Sequence, residues 1–212
     1  MKLLEYSKET KDTNSMAIMA RNEGDDISNT TGCTACVALI TKDTIFVANS
    51  GDSRCVLSQW GFAVEMSVDH KPDLQNEKER ILKANGSVIA NRINGGLNVA
   101  RSLGDFDFKN NPALSVNDQL LIAKPDIKTE KITPLCDFLI IGCDGIWDCL
   151  SSQKAVDYVK EHIEKAEKSN QNVSIKNIIE EMMDSIIAKD VGFAGGIGCD
   201  NMSCIIIQFK KK

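Results

Sequence analysis

The chain has 212 residues, of which 42% are hydrophobic and 26% charged, and its formal net charge is −5. This length and composition are typical of a soluble globular protein with one domain or a modest two, and the negative charge argues against nucleic acid as a partner. No apolar run approaches the about 20 residues of a membrane helix, and the charged opening Met1-Lys2-Leu3-Leu4-Glu5 does not resemble a secretion signal. The eight cysteines are therefore predicted to be free thiols of a cytoplasmic protein, with the nucleus as the alternative compartment.

The predicted elements begin with strands and end with paired helices. Strands gather early in the chain and helices late, which favours an α+β fold over a parallel α/β sheet. The first 30 residues are predicted to form a helix, carrying Met16, Ile18 and Met19, and then a loop. The later elements are predicted as strands at Cys33–Ile40, Thr44–Asn49, Arg54–Ser58 and Phe62–Val68, a helix over 74–84, short strands within 87–101, a loop-rich stretch over 102–135, a strand at 137–143, and a last strand at Ser203–Phe209.

Two amphipathic helices are predicted between the strand at 137–143 and the last strand. Apolar residues recur at helical spacing in both, and a serine at 151 or 152 is placed to cap the first of them. The repeating apolar residues are Ala155, Val156, Val159, Ile163 and Ala166 in the first helix, and Ile175, Ile178, Ile179, Met182, Met183, Ile186 and Ile187 in the second.

Aspartates lie where extended apolar runs stop, next to glycine or asparagine. Asp52 follows one run, Asp144 and Asp148 follow another, and Asp200 precedes the last strand. A carboxylate at the end of such an apolar strand is costly without a cation or a basic partner. Several carboxylates in a chain with two histidines suit a hard divalent cation such as Mg²⁺ or Mn²⁺. Metal-assisted hydrolysis is therefore the first functional hypothesis.

Plainer interpretations of these aspartates stay open at this point. Each can be a turn residue, or Arg54, Arg92 or Arg101 can neutralise them in structural ion pairs. A calcium-binding module is disfavoured, because the chain has no twelve-residue loop with the required alternation of oxygen ligands. Cys33 and Cys36 have C-x-x-C spacing without a second ligand pair, so a metal or redox role is not expected.

The chain also carries a series of short motifs in a fixed order, from about residue 31 to the C-terminus. They include Thr31-Gly32-Cys33-Thr34-Ala35, Asn49-Ser50-Gly51-Asp52-Ser53-Arg54, Asp69-His70-Lys71-Pro72, Asn94-Gly95-Gly96-Leu97, Ala100-Arg101-Ser102-Leu103-Gly104-Asp105, Cys143-Asp144-Gly145-Ile146-Trp147-Asp148 and Cys199-Asp200-Asn201-Met202-Ser203. This series resembles the metal-dependent type 2C serine/threonine protein phosphatases, the PPM family.

The resemblance implies a β-sandwich flanked by helices, with a centre of two or three Mg²⁺ or Mn²⁺ ions at one end. By similarity, Asp144 and Asp200 would hold a metal of the catalytic pair. Asp52 and Asp148, with Asp144, would surround a weaker third ion, and Arg92 would lie in a flap beside the substrate. The activity implied is hydrolysis of phosphoserine and phosphothreonine in proteins by a metal-activated water.

One departure from the family is large. Family members carry an upstream Asp-Gly-His-Gly-Gly segment, whose aspartate bridges the metals and whose histidine is the expected general acid, and residues 1–30 contain no counterpart. No catalytic acid is therefore identified. Residues 31–212 are predicted to be a partial catalytic domain that is poorly active alone, and the alternative is an inactive phosphatase-like scaffold or binding domain. Missing strands predict apolar surface that a homodimer or an exchanged segment would cover.

Overall fold

A computed structural model describes residues 29–169 and 172–210, and these residues form antiparallel strands and four α-helices. The helix predicted around Met16, Ile18 and Met19 lies outside the described residues. Contacts divide the chain into two units. The described part of the first comprises residues 29–34 and 70–124, and that of the second comprises residues 35–69 and 125–210.

The described elements match most of the predicted ones. The predicted helices over 74–84 and after residues 151 and 174 are confirmed, whereas β9 falls in the stretch that was predicted to be loop-rich. No helix in the described ranges is long and apolar enough to cross a bilayer. The strands are β1 (Gly32–Cys33), β2 (Ala35–Ile40), β3 (Thr44–Ser50), β4 (Arg54–Gln59), β5 (Phe62–Glu65), β6 (Val88–Ile89), β7 (Arg92–Ile93), β8 (Leu103–Gly104), β9 (Asp126–Lys131), β10 (Cys136–Gly142) and β11 (Cys204–Gln208), and the helices are α1 (Gln75–Lys83), α2 (Asp144–Trp147), α3 (Ser152–Lys168) and α4 (Ile175–Ile186).

The second unit is a sandwich of two antiparallel sheets. One has the order β11-β10-β4-β5 and the other β2-β3-β9. Successive side chains of a strand point to opposite faces. On β4, Cys55 and Leu57 therefore pack in the core between the sheets, while Val56 packs against the helices. On β10, Leu139 likewise packs between the sheets and Phe138 packs against the helices. This arrangement confirms the predicted α+β fold, a β-sandwich flanked by helices.

Helices α3 and α4 cover the outer face of the four-stranded sheet. Both begin at a serine whose hydroxyl accepts a hydrogen bond from a backbone N–H three residues later, Ser151 for α3 and Ser174 for α4. Their apolar stripes pack on the sheet, and burying each large apolar side chain stabilises the fold by about 1.5–3 kcal/mol. The buried helix residues are Ala155, Val156, Val159, Ile163, Ile178 and Met182.

The outer face of the three-stranded sheet carries apolar side chains that are exposed among the described residues. Val37 is 60% exposed, Leu39 62% and Ile127 66%. The register pairs Leu39 with Phe46 and connects Val37 with Ile127 through Ala48, so these side chains form one patch. We call it the outer apolar face. Contiguous apolar patches of this kind mark interaction surfaces more often than isolated exposed residues do.

The first unit is built on helix α1 and two short antiparallel strand pairs, β1 with β8 and β6 with β7. Its apolar core contains Ile81 of α1. The buried carboxylate of Glu77, also on α1, is held between Arg80 and Arg101. The remaining buried members of the core are Ile93, Val99, Ala100 and Leu121.

Candidate metal centre

Strand register brings the aspartate-bearing segments to one end of the four-stranded sheet. Gly142, the last residue of β10, pairs with Arg54 on β4 and with Cys204 on β11. In antiparallel neighbours the end of one strand lies beside the start of the next. The segment before β4 carries Asp52, the segment after β10 carries Asp144 and Asp148, and the segment before β11 carries Asp200.

The segments that carry Asp144 and Asp200 are in direct contact. The thiol of Cys143 lies 3.3 Å from the carbonyl oxygen of Asn201, to which it donates a hydrogen bond. A Cβ atom on Gly145 would lie 2.3 Å from the same oxygen, so only glycine permits this approach. The fold therefore places Asp144 and Asp200 on touching pieces of backbone, as the metal hypothesis requires.

Each of the two carboxylates is tied to the backbone of its own turn. The amide of Gly145 donates to Asp144 Oδ1 at 3.0 Å, and the amide of Asn201 donates to Asp200 Oδ1 at 2.7 Å. These bonds orient the carboxylates through one oxygen. Asp144 is half-buried, whereas Asp200 is exposed.

The two remaining aspartates differ in burial. Asp52, two residues before β4, is 2% exposed. Asp148 is exposed and lies one helical turn after Asp144. The amide of Asp148 donates a hydrogen bond to the carbonyl oxygen of Asp144 at 2.8 Å. The four predicted metal ligands therefore come from three segments at one sheet end, and their shared coordination of an ion stays a prediction.

Arg54 is bound to a different carboxylate. Its Nε and Nη2 atoms donate to the two oxygens of Asp69 at 2.9 and 2.7 Å. Its Nη1 donates to Ser152 Oγ at 3.1 Å, and the guanidinium lies 5.1 Å from the centre of the Trp147 ring. This two-pronged bond to Asp69 raises the pKa of Arg54 above its ordinary value. Arg54 therefore braces the sheet end through Asp69.

The other two arginines considered as structural partners are also engaged within their own unit. Arg101 forms an ion pair with Glu77. Arg92, the predicted substrate contact, is exposed on β7, and its Nη1 donates to the carbonyl oxygen of Gly96 at 2.7 Å. Its predicted role stays a prediction.

The donor atoms at the sheet end suit a hard cation in chemical type. All four aspartates offer carboxylate oxygens, and among the described residues the buried Asn49 Oδ1 and Ser50 Oγ have no hydrogen-bond partner. Yet within residues 29–169 and 172–210 no three histidine, cysteine, aspartate or glutamate side chains are grouped so that they could hold a metal ion. The donors fit Mg²⁺ or Mn²⁺, and the described residues do not by themselves close a site.

Sequence reasoning missed several residues that shape this end of the sheet. Asn49 and Ser50 end β3 just before Asp52, and a polar pair that closes an apolar strand was a usable signal. Asp69, the partner of Arg54, had no local signal, because the two residues meet only through the fold. Cys143 was visible in the motif, although nothing in the sequence showed that its thiol contacts the backbone beside Asp200.

All eight cysteines are free thiols, as predicted. Burial is the main cause that raises the pKa of Cys204 to about 12, and the neighbouring Cys143 contributes less. Its thiol is therefore neutral near pH 7, whereas a thiolate is the form that binds metal.

Comparisons with known proteins decide the family. The sequence profile described as "Protein phosphatase 2C" matches residues 3–192. The chain belongs to the protein phosphatase 2C family. Among curated relatives, "Probable protein phosphatase 2C 21" of Arabidopsis thaliana is 50% identical over 182 residues, which cover 86% of this chain and 49% of that protein. Human "Protein phosphatase 1G" is 44% identical, with 85% of this chain and 33% of that protein covered.

Solved phosphatase structures share the fold. A crystal structure of a phosphatase from Toxoplasma gondii superposes with a TM-score of 0.66 at 28% identity, over 80% of this chain and 49% of that chain. This protein phosphatase 2C chain spans about half the length, or less, of the curated relatives described above.

Proposed function

We propose that this chain is a partial catalytic domain of a metal-dependent protein serine/threonine phosphatase. The observation that carries the proposal is the direct contact between the segments bearing Asp144 and Asp200 at one end of the four-stranded sheet. Family membership supports the reaction class. The substrates would be phosphoserine and phosphothreonine in proteins of the cytoplasm or nucleus.

In this proposal the four aspartates have distinct tasks. Asp144 and Asp200 would hold an ion of the catalytic pair, and Asp52 and Asp148, together with Asp144, would hold a weaker third ion. When bound, Mg²⁺ or Mn²⁺ would lower the pKa of a water molecule and neutralise charge on phosphate oxygens.

The chain's other residues prepare the site. The amides of Gly145 and Asn201 hold one oxygen of each carboxylate in place. The Arg54–Asp69 pair fixes the start of β4, two residues after Asp52. Arg92 is an exposed cation that could contact the phosphoprotein in the complete enzyme.

The second candidate is a phosphatase-like domain that binds partners without turnover. The observation that favours it is the lack of any group of three metal-binding side chains in the described ranges. The two candidates differ in whether the aspartates bind an ion, and in whether the ion supports hydrolysis.

Cation binding is measured first, by calorimetric titration of the chain with Mn²⁺. We expect weak binding that Asp144→Asn and Asp200→Asn abolish. Asp184→Asn, which neutralises an exposed aspartate on α4, is the matched control and should leave binding unchanged. Equal Mn²⁺ binding by all four proteins would remove the assigned metal ligands.

Turnover is measured next, with p-nitrophenyl phosphate and Mn²⁺. The chain alone is expected to show little activity. A version that carries upstream sequence with the Asp-Gly-His-Gly-Gly segment is expected to hydrolyse the substrate, and Asp144→Ala should abolish this. If the extended protein hydrolyses nothing, the scaffold function is the correct one.

We also propose that the outer apolar face is covered in solution by a second copy of the chain or by an exchanged segment. Its exposed Val37, Leu39 and Ile127 support this.

A further inference from the structure

Two cysteine thiols face each other across the sandwich of the second unit. Cys36 lies on β2 of the three-stranded sheet, and Cys55 lies on β4 of the four-stranded sheet. Both side chains pack in the apolar core between the sheets. Cys55 is completely buried, whereas Cys36 is half-buried. The core therefore contains a pair of thiols, one of which is partly open to solvent.

The two cysteines lie where the chain crosses from one sheet to the other. Strand β3 ends at Ser50 and β4 begins at Arg54, so three residues connect the two sheets at this corner. Cys36 pairs with Asn49 near the end of β3, and Cys55 is the second residue of β4. The thiol of Cys55 donates a hydrogen bond to the sulfur of Cys36. The two side chains are therefore already in contact.

This arrangement suits a disulfide between the sheets. Immunoglobulin domains carry such a bond across their sandwich, so the architecture accommodates it. A third thiol of the same core, Cys136, pairs with Gln59, which lies four residues beyond Cys55 on β4. That separation is about 13 Å along the strand, well beyond the about 7 Å between Cα atoms that a disulfide can span. Cys36 is therefore the partner that this core offers to Cys55.

The two thiols differ in reactivity. The hydrogen bond from Cys55 lowers the pKa of Cys36 below its ordinary value, although burial and the charge of Asp69 act in the opposite direction. The same contact is the main cause that raises the pKa of Cys55, and burial adds to it. The thiolate is the form of cysteine that attacks a peroxide. Cys36 is thus the thiol that reacts first, and Cys55 is the neighbour that resolves the product.

We propose that Cys36 and Cys55 form a reversible disulfide between the two sheets when the protein meets a hydroperoxide. The C-x-x-C spacing of Cys33 and Cys36 has no part in this pair, because Cys33 lies on β1 in the first unit.

The reaction takes two steps. The sulfur of Cys36 attacks one oxygen of the hydroperoxide, the O–O bond breaks, and the proton of the Cys36 thiol leaves with the other oxygen as an alcohol, or as water for hydrogen peroxide. Cys36 is then a sulfenic acid. The sulfur of Cys55 attacks the Cys36 sulfur, and the hydroxide that leaves takes the Cys55 proton as water. The two thiols have lost two electrons to the hydroperoxide, and dithiothreitol returns them by thiol–disulfide exchange.

The disulfide stabilises the second unit against unfolding. It closes a loop from Cys36 to Cys55 that contains β3 and the turn bearing Asp52. A cross-link of this kind restricts the unfolded chain more than the folded one. The oxidised chain is therefore more resistant to urea than the reduced chain.

The test treats the full chain with hydrogen peroxide, blocks the remaining thiols with N-ethylmaleimide in urea, and maps the non-reduced tryptic peptides by mass spectrometry. The peptide that begins after Arg21 should be linked to the peptide that begins after Arg54, and dithiothreitol should separate them. The midpoint of urea unfolding should rise by about 1 M in the oxidised chain.

Single variants identify the two sulfur atoms. Cys36→Ala and Cys55→Ala should each abolish the linked peptide and the rise in the urea midpoint. In Cys55→Ala the sulfenic acid of Cys36 has no resolving thiol, so dimedone should label it. Cys33→Ala is the matched control, because it removes the exposed cysteine of the same tryptic peptide and should leave the linkage unchanged. Circular dichroism of the reduced variants should match that of the unaltered chain.

Three results would overturn the proposal. In the first, Cys36 and Cys55 both remain thiols after the peroxide has oxidised the exposed Cys33. In the second, Cys36 is bonded to another cysteine, or stops at the sulfinic acid while Cys55 stays a thiol. In the third, the disulfide forms and the urea midpoint does not rise, which would remove its stabilising role.

Discussion

Removing the negative charge of Glu77 tests the buried ion network of the first unit. The Glu77 side chain is 1% exposed and that of Arg101 is 7% exposed, and Arg101 Nη2 lies 2.5 Å from Glu77 Oε1. Arg80 binds the second carboxylate oxygen. Glu77→Gln keeps the shape and removes the negative charge that two buried guanidinium groups share. Breaking such a pair from one side costs about 3–5 kcal/mol, so the free energy of unfolding should fall by that amount.

The assay is urea unfolding at pH 7, followed by circular dichroism. Glu79→Gln on the same helix is the matched control, because Glu79 is exposed and its loss should change the free energy of unfolding by less than about 0.5 kcal/mol. If Glu77→Gln lowers the free energy of unfolding by less than about 1 kcal/mol, the Glu77 carboxylate does not stabilise the two buried guanidinium groups.

The pH dependence gives an independent check. Burial raises the pKa of Glu77, but hydrogen bonds from Arg101 and the charge of Arg80 together lower it more, so the net pKa is below the ordinary 4.5. A group whose pKa is depressed on folding stabilises the protein above its unfolded pKa, and this stabilisation disappears as the pH falls through the folded value. The stability difference between the unaltered chain and Glu77→Gln should therefore be constant near neutral pH and shrink below pH 4.5. A difference that does not shrink on acidification would contradict this linkage.

Three further changes test the second unit. Met182→Ala opens a cavity in the fully buried helix–sheet core and should cost about 2–5 kcal/mol in urea unfolding, whereas no loss would mean that the core is loosely packed. Ser151→Ala removes the hydroxyl that accepts from the Lys154 amide and should cost about 1 kcal/mol, which Ser151→Asp should restore. Leu39→Asp on the outer apolar face should convert a homodimer to a monomer in sedimentation, and a concentration-independent monomer mass of the unaltered chain would exclude the dimer.

Elements with strong periodicity could be predicted from the sequence. Helices α3 and α4 carry their apolar residues at helical spacing, and apolar runs form the centres of two strands, Cys55–Leu57 in β4 and Phe138–Ile141 in β10. Strand β9 was missed because Asp-Ile-Lys-Thr-Glu-Lys contains one apolar residue, and almost all of its side chains are exposed. Residues 126–131 form a strand because their backbone pairs with β3, and this pairing cannot be predicted from their composition.

The candidate site was predictable in part for the same reason. Asp144 and Asp200 were recognisable in the sequence because each flanks a strongly apolar strand. The structure shows that their segments touch. The partner of Arg54 was not predictable, since the choice of Asp69 depends on how the chain returns beside β4. The sandwich architecture followed from the family resemblance, because strand patterns alone do not determine which sheets face each other.

The strand order has a consequence for how the protein folds. Val56 and Ile140 are neighbours in the sheet although more than eighty residues separate them in sequence, and β11 joins β10 only after both long helices have been made. Such non-local pairing slows folding, because long loops must close before their contacts form. On the ribosome, the segment bearing Asp144 would wait for β11 to emerge, so the nascent chain exposes its central strand for a period in which a chaperone can bind.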